Sequence, residues 1–194
     1  MTQPEFFHDP IDGLYLTQNK YIDNAFSNLK DGYTNVIEIG TCYGGFALFL
    51  RSVFAGANVH TFDIKDWGNR EYVEHRNKLY KEKAINYYNE DCFLHDGRRI
   101  KGLLKEKSIL LCDGAHKENE FTFFSRFLQS GSIIMAHDYG QSEEYFKKEI
   151  EGKYWTSSFE FNGSKFNNWC EDYRLIPYYQ DEFERAVWFI RKKI

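Results

Sequence analysis

One short stretch, Val36 to Ala47, constrains the fold of this chain more than any other. Its first residues are apolar and β-branched, and they run into the pattern Glu-x-Gly-x-x-x-Gly, which begins at Glu38. Apolar residues then recur at i, i+3, i+4, i+7 and i+8, which is the spacing of one helix face. These residues are Phe46, Phe49, Leu50, Val53 and Phe54. The stretch therefore predicts a buried strand, a tight glycine turn and a helix.

The glycine turn predicts a nucleotide site. Glycines let the backbone bend sharply and let a ligand approach it closely, and dinucleotide sites of this kind bring a pyrophosphate to the helix that follows. Here the middle glycine of Gly-x-Gly-x-x-Gly is absent, and the carboxylate of Glu38 would repel a pyrophosphate but could bind an amine. The spacing thus favours a nucleoside with a positively charged amino-acid tail, S-adenosylmethionine, over a turn that binds no ligand. The residues expected to hold it are Glu38, Gly40, Thr41, Cys42, Tyr43, Gly44 and Gly45.

Strand-like and helix-like segments alternate along the chain. The predicted strands are Asn35–Gly40, Asn58–Asp63, Ala84–Asn89, Ser108–Asp113, Ser132–Ala136, Trp155–Phe161 and Ala186–Arg191. The alternation predicts an α/β fold, with a doubly wound, mostly parallel seven-stranded sheet and helices on both faces. We expect one domain over residues 1–194. It would have an irregular lead-in at 1–16, a cofactor-binding core at 17–139, and a C-terminal helix and strands with an aromatic loop at 140–194.

Charge and composition limit the classes of binding partner and the cellular compartment that we expect for this protein. The net charge is -4 and the sequence has no basic block, so nucleic acid is not expected as a partner. No apolar run approaches the roughly 20 residues that span a bilayer, so no membrane partner is expected either. The four cysteines are scattered, which is typical of reduced thiols, and we expect a cytoplasmic protein.

Polar residues stand where the predicted strands end. The carboxyl ends of parallel strands form the ligand-binding rim of such a sheet, so these side chains should share one rim. Asp63 ends the second strand, and a carboxylate there can accept both hydroxyls of a ribose. The fourth and fifth strands end in Asp113-Gly114-Ala115-His116 and Ala136-His137-Asp138-Tyr139.

The last two motifs bring two carboxylates and two imidazoles into adjacent turns. A pair of carboxylates suits Mg²⁺ or Mn²⁺, and an added imidazole shifts the preference toward softer metals. A divalent cation beside a methyl donor would lower the pKa of a substrate hydroxyl. Alternatively, His116 or His137 could act as a general base without a metal. A third interpretation is that the acids cap helices and the histidines only fill the rim.

Together these motifs resemble the metal-dependent O-methyltransferases, a group of the Rossmann-like class I methyltransferases. The first motif of that class is Glu-x-Gly-x-x-x-Gly. In this chain Gly-Thr-x-x-Gly-Gly follows the first strand, Asp-Gly-x-His the fourth and His-Asp-Tyr the fifth. The resemblance spans about Thr17 to Tyr139 and is closest to the small-molecule branch with the cephalosporin-hydroxylase-like, macrolide-sugar and caffeoyl-coenzyme-A-type enzymes.

The resemblance implies roles for the residues at the fourth and fifth strand ends. By the resemblance Asp113 and Asp138 would be metal ligands, with Asp113 also beside the cofactor, and His116 would be a candidate catalytic base. The position of His137 next to Asp138 adds it as a further candidate metal ligand and catalytic residue. One departure concerns Tyr139, because several relatives have Asn or a second Asp at that position as a third metal ligand.

The resemblance also implies the reaction and the remaining contacts. The donor would be S-adenosylmethionine, the acceptor a hydroxyl of a small molecule, and Asp91 and Cys92 would lie beside the adenine. The aromatic loop Asn162–Glu184 is predicted to cover the acceptor site. Two alternatives are a metal-independent methyltransferase with a histidine base and a non-catalytic nucleotide-binding protein of the same fold. Whether the protein forms a homo-oligomer is left open.

Overall fold

A seven-stranded sheet forms the centre of the protein. The computed structural model describes residues 8–29, 32–156 and 158–194. The strands in chain order are β1 (His8–Ile11), β2 (Leu14–Leu16), β3 (Asn35–Ile39), β4 (Asn58–Asp63), β5 (Ile85–Asn89), β6 (Ser108–Cys112), β7 (Ile133–Ala136), β8 (Tyr139–Gly140), β9 (Phe161–Asn162), β10 (Leu175–Pro177) and β11 (Phe189–Lys193). Across the central sheet they lie in the order β10-β11-β7-β6-β3-β4-β5. Strands β3 to β7 are parallel, whereas β11 is antiparallel to both β7 and β10. The predicted mostly parallel, doubly wound α/β sheet is therefore confirmed.

Helices cover both faces of this sheet. They are α1 (Ile22–Phe26), α2 (Gly45–Val53), α3 (Arg70–Glu82), α4 (Leu94–Leu103), α5 (Lys117–Ser125), α6 (Glu143–Tyr145), α7 (Asn167–Asp172) and α8 (Gln180–Arg185). A π-helix, Phe146–Ile150, continues α6, and a 3₁₀ turn, Gly163–Phe166, precedes α7. None of these helices is long and apolar enough to cross a membrane.

Strand β6 shows how the two layers arise from the sequence. All five of its residues are buried. Ile109 and Leu111 pack into the core that contains α1, α2 and α8, and Leu110 and Cys112 pack into the core that contains α4, α5 and α7. Successive side chains of a strand point to opposite faces, so a strand covered on both sides is a continuous apolar run.

The predicted irregular lead-in at 1–16 is wrong over residues 8–16, where β1 and β2 form an antiparallel hairpin. Residues 1–7 lie outside the described part of the chain. The hairpin turns at Asp12-Gly13, and both residues have positive φ, +50° and +84°. Asp-Gly is the residue pair that such a two-residue turn favours. The hairpin packs against α2, and α2 in turn packs against the sheet.

The sixth strand of the sheet is not the one predicted. None of the described residues of Trp155–Phe161 belongs to the central sheet. Trp155 packs in a small core with Phe146, Ile150 and Val187, and Phe161 belongs to β9, which pairs with β8. The edge strand is instead β10, which lies inside the predicted loop Asn162–Glu184. Only Leu175 of its three residues is buried, so the strand lacks the apolar run that would distinguish it from a loop.

The register of the parallel strands sets the position of the site. Ile39 of β3 lies opposite Phe62 of β4 and Cys112 of β6, so the three strands end level. Between β3 and β6 the strand order reverses direction, because β4 and β5 lie to one side and β6 and β7 to the other. In open α/β sheets ligands bind in the crevice at this switch point.

Candidate functional site

Two glycines of the turn between β3 and α2 are required by their surroundings. Gly40 has a φ of +96°, and a Cβ there would collide with the carbonyl oxygen of Asp113. Gly45 opens α2, and a Cβ on it would lie 2.5 Å from the carbonyl oxygen of Tyr15 in β2. Larger residues would push apart chains that are already in contact. The turn is therefore held between the end of β6 and the N-terminal hairpin.

Glu38, in β3, presents a buried carboxyl group with one unsatisfied oxygen. Its side chain is fully buried, and its Oε2 accepts a hydrogen bond from the hydroxyl of Thr61. The hydroxyls of Thr61 and Thr41 lie 2.5 Å apart, while Oε1 of Glu38 has no hydrogen-bond partner among the described residues. Burial raises the pKa of Glu38 well above its usual value, since the charged form loses its hydration. A buried acid of this kind would be stabilised by a cationic partner.

Asp63, at the end of β4, faces the same turn. Its Oδ2 accepts hydrogen bonds from the backbone N–H of Cys42 at 2.8 Å and from Nε1 of Trp67 at 3.2 Å. Its Oδ1 accepts one from the backbone N–H of Lys65 at 3.2 Å. Each carboxylate oxygen has two lone pairs, so Oδ2 is fully used while Oδ1 can accept one further hydrogen bond. Asp63 thus links the turn to its loop and retains one acceptor site for a ligand.

A cavity of about 210 Å³ lies at the carboxyl ends of β3, β6 and β7. Its lining comprises Tyr15, Thr17, Glu38, Gly40, Thr41, Cys42, Tyr43, Gly44, Phe46, Asp113, His137, Asp138 and Trp155. Most of the predicted cofactor and metal residues are thus brought together. None of residues 162–184 belongs to this lining, whereas Tyr15, Thr17 and Trp155 do. The hairpin strand β2 and Trp155, and not the aromatic loop, thus border this cavity, while the covering of the acceptor site by that loop stays a prediction.

The ends of β6 and β7 form a cluster of two acids and one imidazole. His137 Nδ1 lies 3.1 Å from Asp113 Oδ1 and 3.5 Å from Asp138 Oδ1. Asp138 Oδ1 also accepts a hydrogen bond from Trp155 Nε1 at 2.9 Å, and Gln18 Nε2 lies 3.5 Å from Asp113 Oδ2. The Nε2 atom of His137 is buried without a hydrogen-bond partner among the described residues. The two predicted strand ends therefore meet in one buried group.

Lys117, the first residue of α5, was not predicted as a site residue, yet it binds this cluster. Only 7% of its surface is exposed. Its Nζ lies 2.6 Å from Glu160 Oε2, 3.1 Å from Asp138 Oδ2, 3.1 Å from the carbonyl oxygen of Gly114 and 3.6 Å from Asp113 Oδ1. Nothing in the sequence indicates this role, because lysine is usually exposed on the surface.

The charges of the cluster shift the pKa of each member. Burial lowers the pKa of His137, but Asp113 and Asp138 more than offset this and the net shift is upward. For Lys117 burial again acts downward, and the three nearby carboxylates raise the pKa overall. Burial would raise the pKa of Asp113, yet His137 and Lys117 hold it below its usual value. Burial and the neighbouring Asp113 raise the pKa of Asp138. The cluster therefore favours the charged forms of Asp113, Lys117 and His137 over their neutral forms.

Two buried amides of the segment before α1 connect the site to the C-terminal part of the chain. Gln18 and Asn19 are each 1% exposed. Gln18 Oε1 accepts a hydrogen bond from Trp188 Nε1 at 3.1 Å, on the far side of the amide from Asp113. Asn19 Nδ2 donates to the carbonyl oxygens of Tyr154 at 2.9 Å and Arg185 at 2.8 Å. These bonds hold the N-terminal segment at the edge of the cavity.

Five predicted site residues lie outside the cavity lining: Gly45 and Asp63, described above, and His116, Asp91 and Cys92. His116 is exposed at the start of α5, and its backbone N–H donates to Glu120 Oε1 at 3.1 Å. Asp91 and Cys92 follow β5, and Asp91 Oδ1 accepts from the backbone N–H of Phe93 at 2.8 Å. The geometry thus places His137, rather than His116, beside the cluster of acids.

No protein-family model and no curated protein matches this chain. Solved structures do match it. An O-methyltransferase family protein from Burkholderia thailandensis is 8% identical with a TM-score of 0.59, and the match covers 89% of this chain and 55% of that one. MycE methyltransferase from the mycinamycin biosynthetic pathway, in complex with Mg and SAH, is 14% identical with a TM-score of 0.54, and the match covers 90% and 49%. A precorrin-6y C5,15-methyltransferase from Geobacter metallireducens GS-15 is 14% identical with a TM-score of 0.52, and the match covers 91% and 84%.

These likenesses concern the fold. The chain has the Rossmann-like fold of the class I methyltransferases, as the resemblance of its motifs implies. It spans about half the length of the first two of these neighbours. At identities of 8% to 14% the shared sheet does not by itself define an activity or a substrate.

Proposed function

We propose that this protein is an S-adenosylmethionine-dependent methyltransferase that acts on a hydroxyl group of a small molecule. The observation that carries the proposal is the unsatisfied, buried Oε1 of Glu38 beside the glycine turn. This carboxyl group lines the cavity at the point where the strand order of the methyltransferase-like sheet reverses. An amine is the group that such a carboxyl would bind.

The chain's own residues fit the three parts of the donor. The amine of the methionine tail would approach Glu38, whose charged form it would stabilise. The methionine tail would lie along the turn from Gly40 to Gly44, whose residues line the cavity. Asp63 would accept one ribose hydroxyl with the lone pair on Oδ1 that its three N–H donors leave free.

Histidine catalysis without a metal is the form of the reaction that the geometry supports best. In its neutral form, which is populated above its raised pKa, His137 would share the proton on Nδ1 with Asp113 at 3.1 Å, and Nε2 would carry the free lone pair. In the transfer step the acceptor oxygen attacks the methyl carbon of the sulfonium, the carbon–sulfur bond breaks, and Nε2 takes the hydroxyl proton. The tightly held Asp113–His137 pair would keep the imidazole oriented.

Metal assistance, which the sequence predicts, stays a prediction. The ligand atoms of Asp113, His137 and Asp138 all lie within 4.8 Å of one another, in range of a single ion. The site does not fit a divalent ion well, however, because the ammonium of Lys117 already contacts both carboxylates. No step of the proposed reaction therefore passes through a metal.

Calorimetric titration with S-adenosylmethionine, S-adenosylhomocysteine and NAD tests the proposal. We expect the first two to bind and NAD to bind more weakly. Replacing Asp63 by Ala should weaken binding of S-adenosylhomocysteine by about 1–3 kcal/mol, the value of a hydrogen bond to a charged group. Asp172→Ala, at an exposed acid of α7, is the control and should leave the affinity unchanged. Tighter binding of NAD, or equal effects of the two substitutions, would contradict the proposal.

A further inference from the structure

The acids that the sequence offers as metal ligands already have a cation of their own. Every carboxylate oxygen of Asp113 and Asp138 has a nitrogen neighbour in the chain. A nitrogen of Lys117 or His137 lies beside three of these oxygens, and Trp155 also donates a hydrogen bond to one of the three. The fourth oxygen, Asp113 Oδ2, lies 3.5 Å from the amide nitrogen of Gln18. We propose that the ammonium of Lys117 is the resident cation of this site and takes the place of a divalent metal ion. The binding of Lys117 to the two carboxylates stands independently of the proposed function, and only its consequence for catalysis rests on that function.

The coordination of Lys117 is complete. An ammonium group has three N–H donors. Glu160 at 2.6 Å, Asp138 at 3.1 Å and the carbonyl oxygen of Gly114 at 3.1 Å provide three acceptors for them. A fourth oxygen, from Asp113, lies at 3.6 Å and adds attraction without a hydrogen bond. Lys117 is thus buried with its charge compensated and its donors satisfied, which is the condition for keeping a buried charge.

The position of Lys117 explains why its ammonium and a divalent metal ion would exclude each other. Lys117 and Glu160 line a cleft of about 570 Å³ outside the cavity, whereas Asp113 and Asp138 line the cavity. The ammonium therefore reaches the carboxylates from the cleft and leaves the cavity to the substrates. A divalent ion bound by the same two carboxylates would lie close to the ammonium, in an interior where like charges repel strongly. Lys117 would then have to leave its three acceptors.

Mn²⁺ is the probe for this proposal, with free Mn²⁺ measured by electron paramagnetic resonance. The wild-type protein should show no saturable Mn²⁺ binding that depends on Asp138. Lys117→Met removes the ammonium and keeps an unbranched side chain, so this variant should bind one Mn²⁺ ion, and Mn²⁺ should raise its melting temperature. Lys165→Met, at an exposed lysine paired with Glu118, is the matched control and should behave as the wild type.

Two outcomes would overturn the proposal. One is wild-type protein that binds one Mn²⁺ ion and loses it in Asp138→Asn. The other is a folded Lys117→Met variant that binds no Mn²⁺. Lys117→Met leaves three carboxylates without their buried cation, which could prevent folding. In that case the Mn²⁺ titrations of the wild type and of Asp138→Asn still decide the question. Titrating S-adenosylhomocysteine into the same wild-type preparation keeps the two proposals apart, since absent binding rejects the methyltransferase function and leaves the Mn²⁺ result intact.

Discussion

Glu120 gives the sharpest prediction about pH. This α5 residue is 2% exposed, and its carboxylate accepts hydrogen bonds from the backbone N–H groups of Gly114 at 3.2 Å and His116 at 3.1 Å. It therefore holds the loop that follows Asp113. Burial raises the pKa of Glu120 to about 7, against the lowering effect of the two N–H donors and Lys117.

The direction of the effect follows from comparing the folded and unfolded chains. Below the unfolded pKa of 4.5 both states are protonated, so Glu120 imposes no charge penalty on folding. As the pH rises to about 7, the unfolded chain releases its proton before the folded one does, and the free energy of unfolding falls. The total loss is about 3 kcal/mol at ~1.4 kcal/mol per pH unit, and about 2.5 kcal/mol of it falls between about pH 5 and about pH 8.

Glu120→Gln removes this titration. The amide cannot accept both backbone hydrogen bonds, so the variant should be less stable than the wild type in acid and should recover by about 2.5 kcal/mol relative to it at about pH 8. Urea unfolding followed by circular dichroism at the two pH values measures the difference. Glu118→Gln, at a more exposed acid of the same helix, controls for loss of charge on α5. If the wild type and Glu120→Gln changed in parallel with pH, the buried carboxyl would not be the cause.

Three further predictions concern the turn and its hairpin. Gly40→Ala should lower stability by at least about 2 kcal/mol in thermal unfolding, because of its positive φ and the collision with Asp113; a smaller loss would contradict this geometry. Tyr72→Phe removes the hydroxyl that accepts from the N–H of Tyr15 at 2.9 Å, so hydrogen exchange at that amide should become faster, and an unchanged rate would argue against the bond. Burial raises the pKa of Cys42 to about 11, so its alkylation by iodoacetamide at about pH 8 should be slower than that of a small free thiol; equal rates would refute this.

The parallel strands and their acidic ends could be predicted because they follow from local patterns. The run before Glu38 and the fully buried β6 are apolar over several residues, and few other structures bury such a run. Once the strands are parallel, Asp113 and Asp138 must lie at the same edge of the sheet. Their meeting at His137 follows from this topology.

The features that could not be predicted from the sequence depend on contacts between residues far apart in the chain. Lys117 has no local feature that separates it from exposed lysines, and its burial arises only when Glu160 is brought to it. Strand β10 is short and largely exposed, so its hydrogen bonds to β11 define it rather than its residues. His116 and His137 are equivalent in sequence terms, and only the fold exposes the first and buries the second.

The hydrogen bonds of Gln18 and Asn19 also have a consequence for the order of events during synthesis. Their partners Tyr154, Arg185 and Trp188 are 135, 166 and 170 residues further along the chain. On the ribosome the N-terminal segment is therefore made long before the groups that satisfy its buried amides. Contacts of such separation are slow to form, and chains fold from the N-terminus as they emerge. The nascent chain can therefore pair β3 to β7 before Trp188 is available, and the buried amide of Gln18 stays without this partner until that residue has emerged.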